Sequence, residues 1–436
     1  MGVPLEVKDK IKSDDVNIDQ LHLINLSLYQ SIKNLTKNTF ESLENRNFMF
    51  LWFGMVFSMG GIQMQILARG ILVYDLTNNY FITGLVGMGF APSLLIISLF
   101  GGVLGDLIDR KLIIQLSQFF NAIISGLVGI LIMFDMLIWE HLFVASMMQG
   151  AVFAFMMPPL NASIPSLVKK HQLTNAFALN AMAMSVMSLL APSVAGVLYQ
   201  FKGPIFVYFS VCSLMVISVI FTSFSSKMCP PEKSVSETIL ENILSGFKYI
   251  WGNKLLLQLM IYNIILTLLA MPFTKLVPAF AKDVYESNGS EVGVLLTSAG
   301  LGSLIASVFI ANLKVGQHRR WFLIGAGIIS GLSLSLISGL PVFGVGLISM
   351  LGIGLSEQIR GSLGQSLMME NTEDEYRSRI MSVLMMTYGL IPLGMFPLGW
   401  AMNIFGGRLS VGFCSVIIIG FVFLSIFLFP HLKRIK

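Results

Sequence analysis

Long apolar stretches separated by short polar ones fill the chain from about residue 48 to residue 430. Twelve stretches have the length of a membrane-crossing helix. They are 48–74, 81–105, 111–134, 138–160, 171–199 and 204–223, then 255–274, 291–313, 320–339, 341–366, 379–401 and 408–430. At a rise of about 1.5 Å per residue, each can cross the roughly 30 Å of bilayer hydrocarbon. A soluble core interrupts its apolar segments much sooner. The pattern therefore predicts an all-α polytopic membrane protein with 12 transmembrane helices. Only Gly339-Leu340-Pro341 separates the ninth span from the tenth.

The longest polar interruption runs from Ser225 to Lys254, contains Pro230 and Pro231, and predicts a short helix over 237–249. It divides six spans from six. The expected organisation is a tail over 1–44, a six-helix bundle over 45–224, a linker over 225–254, a second six-helix bundle over 255–431 and a short tail over 432–436. The first tail is polar, and 18–43 reads equally as a surface amphipathic helix or as an unstructured arm. It lacks the apolar run of a cleavable signal peptide.

Composition sharpens this picture. The 436 residues are 55% hydrophobic and 12% charged, with a mean hydropathy of +0.78. Soluble domains carry about a quarter charged residues, so too few solvating groups exist here for a water-facing surface. The basic residues set the orientation. With the N-terminus in the cytoplasm, 22 of the 28 Lys and Arg fall on cytoplasmic segments, and only Arg69, Lys202, Lys275, Lys282, Arg360 and Arg408 do not. That asymmetry puts both termini of a multi-pass membrane protein inside. It also accounts for the basic balance without nucleic acid. Cys212, Cys229 and Cys414 have no metal or redox spacing. No phosphate-binding glycine loop or nucleophile constellation is visible. The sequence does not read as an enzyme, and it implies no cofactor and no metal.

Charges inside apolar spans are costly and mark candidate sites. Arg69 follows Gln63 and Gln65 near the outer end of the first span. It reads as a substrate or coupling residue, as half of an ion pair with Asp75, or as a side chain reaching the outer surface. Glu357 and Arg360 lie one helical turn apart in the tenth span. A buried carboxylate there can carry a coupling proton, or can brace the bundle in a static pair with Arg360. Pro192 and Gly196 in the fifth span, leading to Gly203, are echoed in the eleventh by 392–399, leading to Gly406-Gly407. Such residues permit bending and close helix approach.

The loop over 101–111, with Gly102, Asp106, Arg110 and Lys111, resembles the signature loop of the major facilitator superfamily. Leu107 replaces the usual arginine, and Asp109 stands where glycine is common. The resemblance implies a conformational latch in which Gly102 permits close packing and Asp106 meets Arg110. The stretches 64–77, 158–168 and 377–382, with the region after Pro392, resemble the macrolide-efflux and enterobactin-exporter branch. Pro192 and Gly196 fit the antiporter-like motif of the fifth helix, where Ala191 replaces a preceding glycine. The second-half loop, with Asn312 and His318 to Arg320, shows no acidic latch residue. The resemblance implies a cell-membrane protein, plasma or inner, and secondary active transport by alternating access, with protons as coupling ion and export of a small amphiphilic, drug-like or siderophore-like molecule. A monomer is one admissible assembly. An importer or facilitator of a metabolite has the same fold, and a non-transporting sensor or interaction protein is a third reading.

Overall fold

The computed structural model describes residues 41–94, 97, 108–169, 172–226, 239–311, 319–373 and 376–430. The arm over 1–40, Gly102, Asp106, Cys229, Pro230, Pro231, residues 312–318 and the tail over 432–436 lie outside the described residues. After a short 3-10 turn at Glu41–Glu44, every described element is an α-helix.

Helix α1, Arg46–Thr77, starts where the Asn45 side chain accepts from the N–H groups of Asn47 and Phe48 at 3.0 and 3.3 Å. This satisfies donors that a helix N-terminus leaves free. It ends at Asn78 in the left-handed region, φ 46°. The next asparagine, Asn79, caps α2, Tyr80–Met88, so two adjacent residues stop one helix and start another. The chain continues through α3, Arg110–Met133, and α4, Trp139–Leu167. Helix α5, Leu173–Ser223, contains two helical arms joined at Gly203. Its φ of 80° suits glycine, and Pro204 follows with no N–H to lose. The linker helix α6, Ile239–Gly252, precedes α7, Lys254–Tyr285, α8, Gly289–Ala311, α9, Arg319–Gly339, and α10, Phe343–Glu370. The last three are α11, Arg377–Tyr388, α12, Ile391–Phe405, and α13, Gly407–Leu428.

Eight helices among the described residues are long and apolar enough to cross a membrane: α1, α3, α4, α5, α7, α8, α9 and α13. α2 and α12 are shorter apolar helices, and α10 carries Glu357, Gln358 and Arg360 in its middle. The expectation of 12 spans thus exceeds what length and apolarity alone support. The span expected over 379–401 is two helices, because the chain breaks before Pro392, which cannot donate to a preceding carbonyl. The weakest predicted boundary holds: α9 stops at Gly339 and α10 resumes at Phe343.

Large apolar side chains crowd the outer surface, including Phe119, Phe120, Leu127, Phe134, Phe201, Phe413, Phe423 and Phe427, each at least half exposed. In water such a belt would be a large penalty; in lipid it is the solvated state. The molecule is a multi-pass protein of the bilayer.

Within the first half, α1 and α3 pack on α5, and α3 on α4; within the second, α8 and α9 pack on α10, and α9 on α13. The broadest contacts between the halves are α5 with α8 and α2 with α12. Both depend on glycine. A Cβ at Gly293 of α8 would lie 2.7 Å from the Pro192 carbonyl oxygen of α5, and one at Gly399 of α12 would lie 2.7 Å from the Tyr80 carbonyl oxygen. Pro192 and Gly196 therefore sit at the α5–α8 crossing.

These crossings lie towards one end of the molecule, the end with the Asn78-Asn79 turn. Polar contacts there also join the halves. Asp75 forms an ion pair with Lys282 and Tyr80 Oη donates to Asp283 at 2.7 Å, while within the first half Asp75 also accepts from Tyr199 Oη at 2.8 Å. Ser290 Oγ donates to Gln200. This end is sealed.

At the opposite end several contacts lie within one half. Lys111 Nζ donates to the Ser223 carbonyl at 2.8 Å, and Ser225 Oγ to that of Asn47 at 3.1 Å. Tyr249 of α6 stacks on Tyr376 before α11 at 4.2 Å between ring centroids.

Candidate functional site

A cavity of about 490 Å³ lies between the halves, lined from both. The first half contributes Gln63, Gln65, Arg69, Phe90, Asn121, Gln149, Phe153 and Ser185, among others. The second half contributes Lys275 of α7, Ser303 of α8, Gln358 of α10 and Met395 of α12. Methionine, isoleucine, valine and phenylalanine make most of the apolar part of the wall. Pockets of this kind hold an amphiphile by apolar contact and orient it with a few polar groups.

Each polar position follows from the helix that carries it. Gln65 and Arg69 are four residues apart and share one face of α1. Gln65 Nε2 donates to Ser125 Oγ of α3 at 3.0 Å. Arg69 Nη1 donates to Gln149 Oε1 of α4 at 2.9 Å. Gln63 lines the same cavity. Arg69 is therefore neither a surface-seeking cation nor the partner of Asp75. That pairing is corrected, because Asp75 lies more than one turn further on and engages Lys282 and Tyr199 in the seal.

Glu357 and Arg360 stand behind the wall. Arg360 is 6% exposed and donates through Nη1 to Asn263 Oδ1 and to Thr267 Oγ1 at 2.7 Å, both on α7. Oε1 of Glu357 is buried with no hydrogen-bond partner among the described residues. Glu357 interacts electrostatically with Arg360 and with Lys275. A lone charge at this depth costs about 3 kcal/mol by insertion scales, so this cluster is a place where charge is held for a reason.

Lys275 escaped the sequence reading. It interacts electrostatically with both Glu357 and Arg69, and so connects the two predicted sites across the cavity. Its signal was available: it is one of six cations off the basic side, and it lies between Pro272 and Pro278 inside an apolar helix. Asn121 and Gln149 carried no comparable sign, since a neutral amide in a membrane helix is unremarkable until its neighbours are known.

The basic loop residues brace the helices. Arg110 is 8% exposed and Nη1 donates to the Ala162 carbonyl at 2.9 Å, tying α3 to α4. Lys111 closes the end of α5. In the second half, Arg319 forms an ion pair with Glu370 at 2.6 Å, joining the start of α9 to the end of α10. The acidic partner missing from the second-half loop thus comes from a different helix. Among the described residues no group of three or more His, Cys, Asp or Glu could hold a metal.

The family model described as transmembrane secretion effector matches residues 37–359. Macrolide efflux protein A of Streptococcus pyogenes is 24% identical over 381 residues, covering 84% of this chain and 90% of the relative. The staphyloferrin A transporter of Staphylococcus aureus is 20% identical over 334 residues, with 76% and 83% covered. The enterobactin exporter of Shigella boydii is 25% identical over 247 residues, 56% of this chain and 58% of the relative. Among solved structures, the nucleoside transporter NupG superposes with a TM-score of 0.69 at 16% identity, covering 89% of this chain and 99% of that one. A bacterial homologue of the lysosomal transporter Spinster, in an inward-facing and unoccupied conformation, gives 0.69 at 14% identity, with 89% and 98% covered. The likeness to these structures is one of fold.

Proposed function

We propose a mode of transport from one premise: the chain belongs to the transmembrane secretion effector family of the major facilitator superfamily. It is a secondary active transporter of a small molecule and not an enzyme. Within that class we read it as an exporter of a small amphiphilic compound, driven by protons moving inward.

The observation that carries the reading is the central cavity, lined by both halves and sealed at one end. Alternating access needs a site that two parts of the molecule share, with a seal that can form on either side. The basic residues favour a cytoplasmic position for the end opposite the seal, so this state is read as inward-facing with both termini inside. Two six-helix bundles and 12 spans accord with the two arms of α5 and with the sequence midpoint at the linker. Export is favoured by the efflux and exporter names of relatives that align along 84% and 56% of the chain. Glu357 is the best-placed group for a coupling proton, and Gln63, Gln65 and Arg69 for cargo.

The test is flux in liposomes that hold the purified protein, with and without an imposed pH gradient. Macrolide-like, siderophore-like and nucleoside-like compounds serve as cargo. Proton-driven movement opposite to the protons supports export. Movement with the protons, or downhill movement indifferent to them, replaces export by the import or facilitator reading. No movement of any compound by folded protein removes both.

A further inference from the structure

We infer that the central cavity takes an organic anion, held between Arg69 of the first half and Lys275 of the second. This rests on the cavity being the transport site and adds the charge class of its cargo.

Two cations line the cavity, and among the described residues no carboxylate does. Arg69 carries five N–H donors, yet its one hydrogen bond among the described residues is the bond from Nη1 to Gln149. Lys275 lines the wall, and its ammonium makes no hydrogen bond to any described residue. Glu357 faces the group electrostatically from α10, and Arg360 adds a third positive charge beside it. Of these three cations, Glu357 interacts with Lys275 and Arg360. Arg360 is already satisfied by Asn263 and Thr267, while Arg69 and Lys275 keep unused donors facing an apolar space.

An under-compensated pair of cations in a low-dielectric cleft repels a cation and attracts an anion. A ligand carboxylate, sulfonate or catecholate would supply the acceptors that the protein does not. The surrounding methionine and phenylalanine side chains would bury its apolar body. Because the two cations belong to different halves, such an anion would also bridge them. Bound cargo would then bear on the contact that changes during transport.

Fluorescein and pyronin Y share a xanthene skeleton and carry opposite charge, so they separate charge preference from fit. Their binding to the purified full chain is measured by equilibrium dialysis in mildly alkaline buffer, with no gradient. Saturable fluorescein binding is expected, with Arg69→Gln and Lys275→Gln each weakening it by about tenfold or more. Lys275→Arg, which keeps the charge, should retain it, and thermal unfolding checks that each variant is folded. The inference is overturned if pyronin Y binds more tightly, if fluorescein shows no saturable binding, or if both glutamine variants bind fluorescein as the parent does. Transport of pyronin Y without fluorescein binding sinks this inference alone. Fluorescein binding without flux of any cargo sinks the transport reading alone.

Discussion

Oε1 of Glu357 has lost water and gained no donor, whereas Arg360, one turn along, has been given two side-chain acceptors by α7. The two residues therefore respond differently to substitution. Glu357→Gln keeps the shape and removes the proton-carrying group. It is expected to cut gradient-driven flux by about tenfold or more, the range of a lost acid–base group, while the protein stays folded. Unchanged flux in Glu357→Gln liposomes would end the coupling role. Arg360→Met should act on stability instead. It strands Asn263 and Thr267 inside the bundle, at about 1–3 kcal/mol for an unsatisfied buried polar group. A lowered unfolding temperature in detergent is the readout, and an unaltered one would mean those bonds contribute nothing net.

Among the elements, α1, α5 and α7 do most to set the state of the molecule, since the Asp75–Lys282 pair joins α1 to α7 and Tyr199 of α5 closes on the same carboxylate. The ion pair is partly exposed, at 25% and 32% for its side chains. Its worth is on the order of 1 kcal/mol or less, enough to move a two-state population about fivefold. Asp75→Asn should therefore raise labelling of a Gln63→Cys cavity thiol by a membrane-impermeant reagent applied at the sealed side. The native cysteines are replaced beforehand. Equal labelling in both backgrounds would show that the pair does not hold the seal. The helices themselves were largely readable, because an apolar run of bilayer-crossing length is a local feature of the chain. The break between α11 and α12 was not, since an apolar run continues across it and only the missing donor of Pro392 marks it. Nor was the choice Asp75 makes: the sequence offered Arg69, and the packing of α7 against α1 selects Lys282.

For the whole molecule, the charge asymmetry of the loops predicts a direction in the membrane. A cysteine in place of Asn78, exposed at the sealed end, should react with an impermeant thiol reagent in intact cells. One at Ser226, exposed at the opposite end, should react only after the membrane is opened. The reverse pattern would invert the molecule and, with it, the meaning of any flux measured. The cavity was legible in part at this scale. Arg69, Gln63 and Gln65 announced themselves as polar groups in an apolar helix. The meeting of Arg69 with Lys275 needed the two halves to be set side by side, which no local pattern encodes.

The glycine crossings of the seal also foretell how this protein would tolerate random change under a selection for activity. At Gly84, Gly196, Gly293 and Gly399 a partner backbone already occupies the space a side chain would need. Depletion there should follow size alone, with valine, aspartate and lysine lost alike. At Arg69 and Lys275 it should follow charge, with size forgiven. A saturation library would then sort the chain's positions into two tolerance profiles, one read in volume and one in sign. The boundary between them would trace where the moving contact ends and the cargo begins.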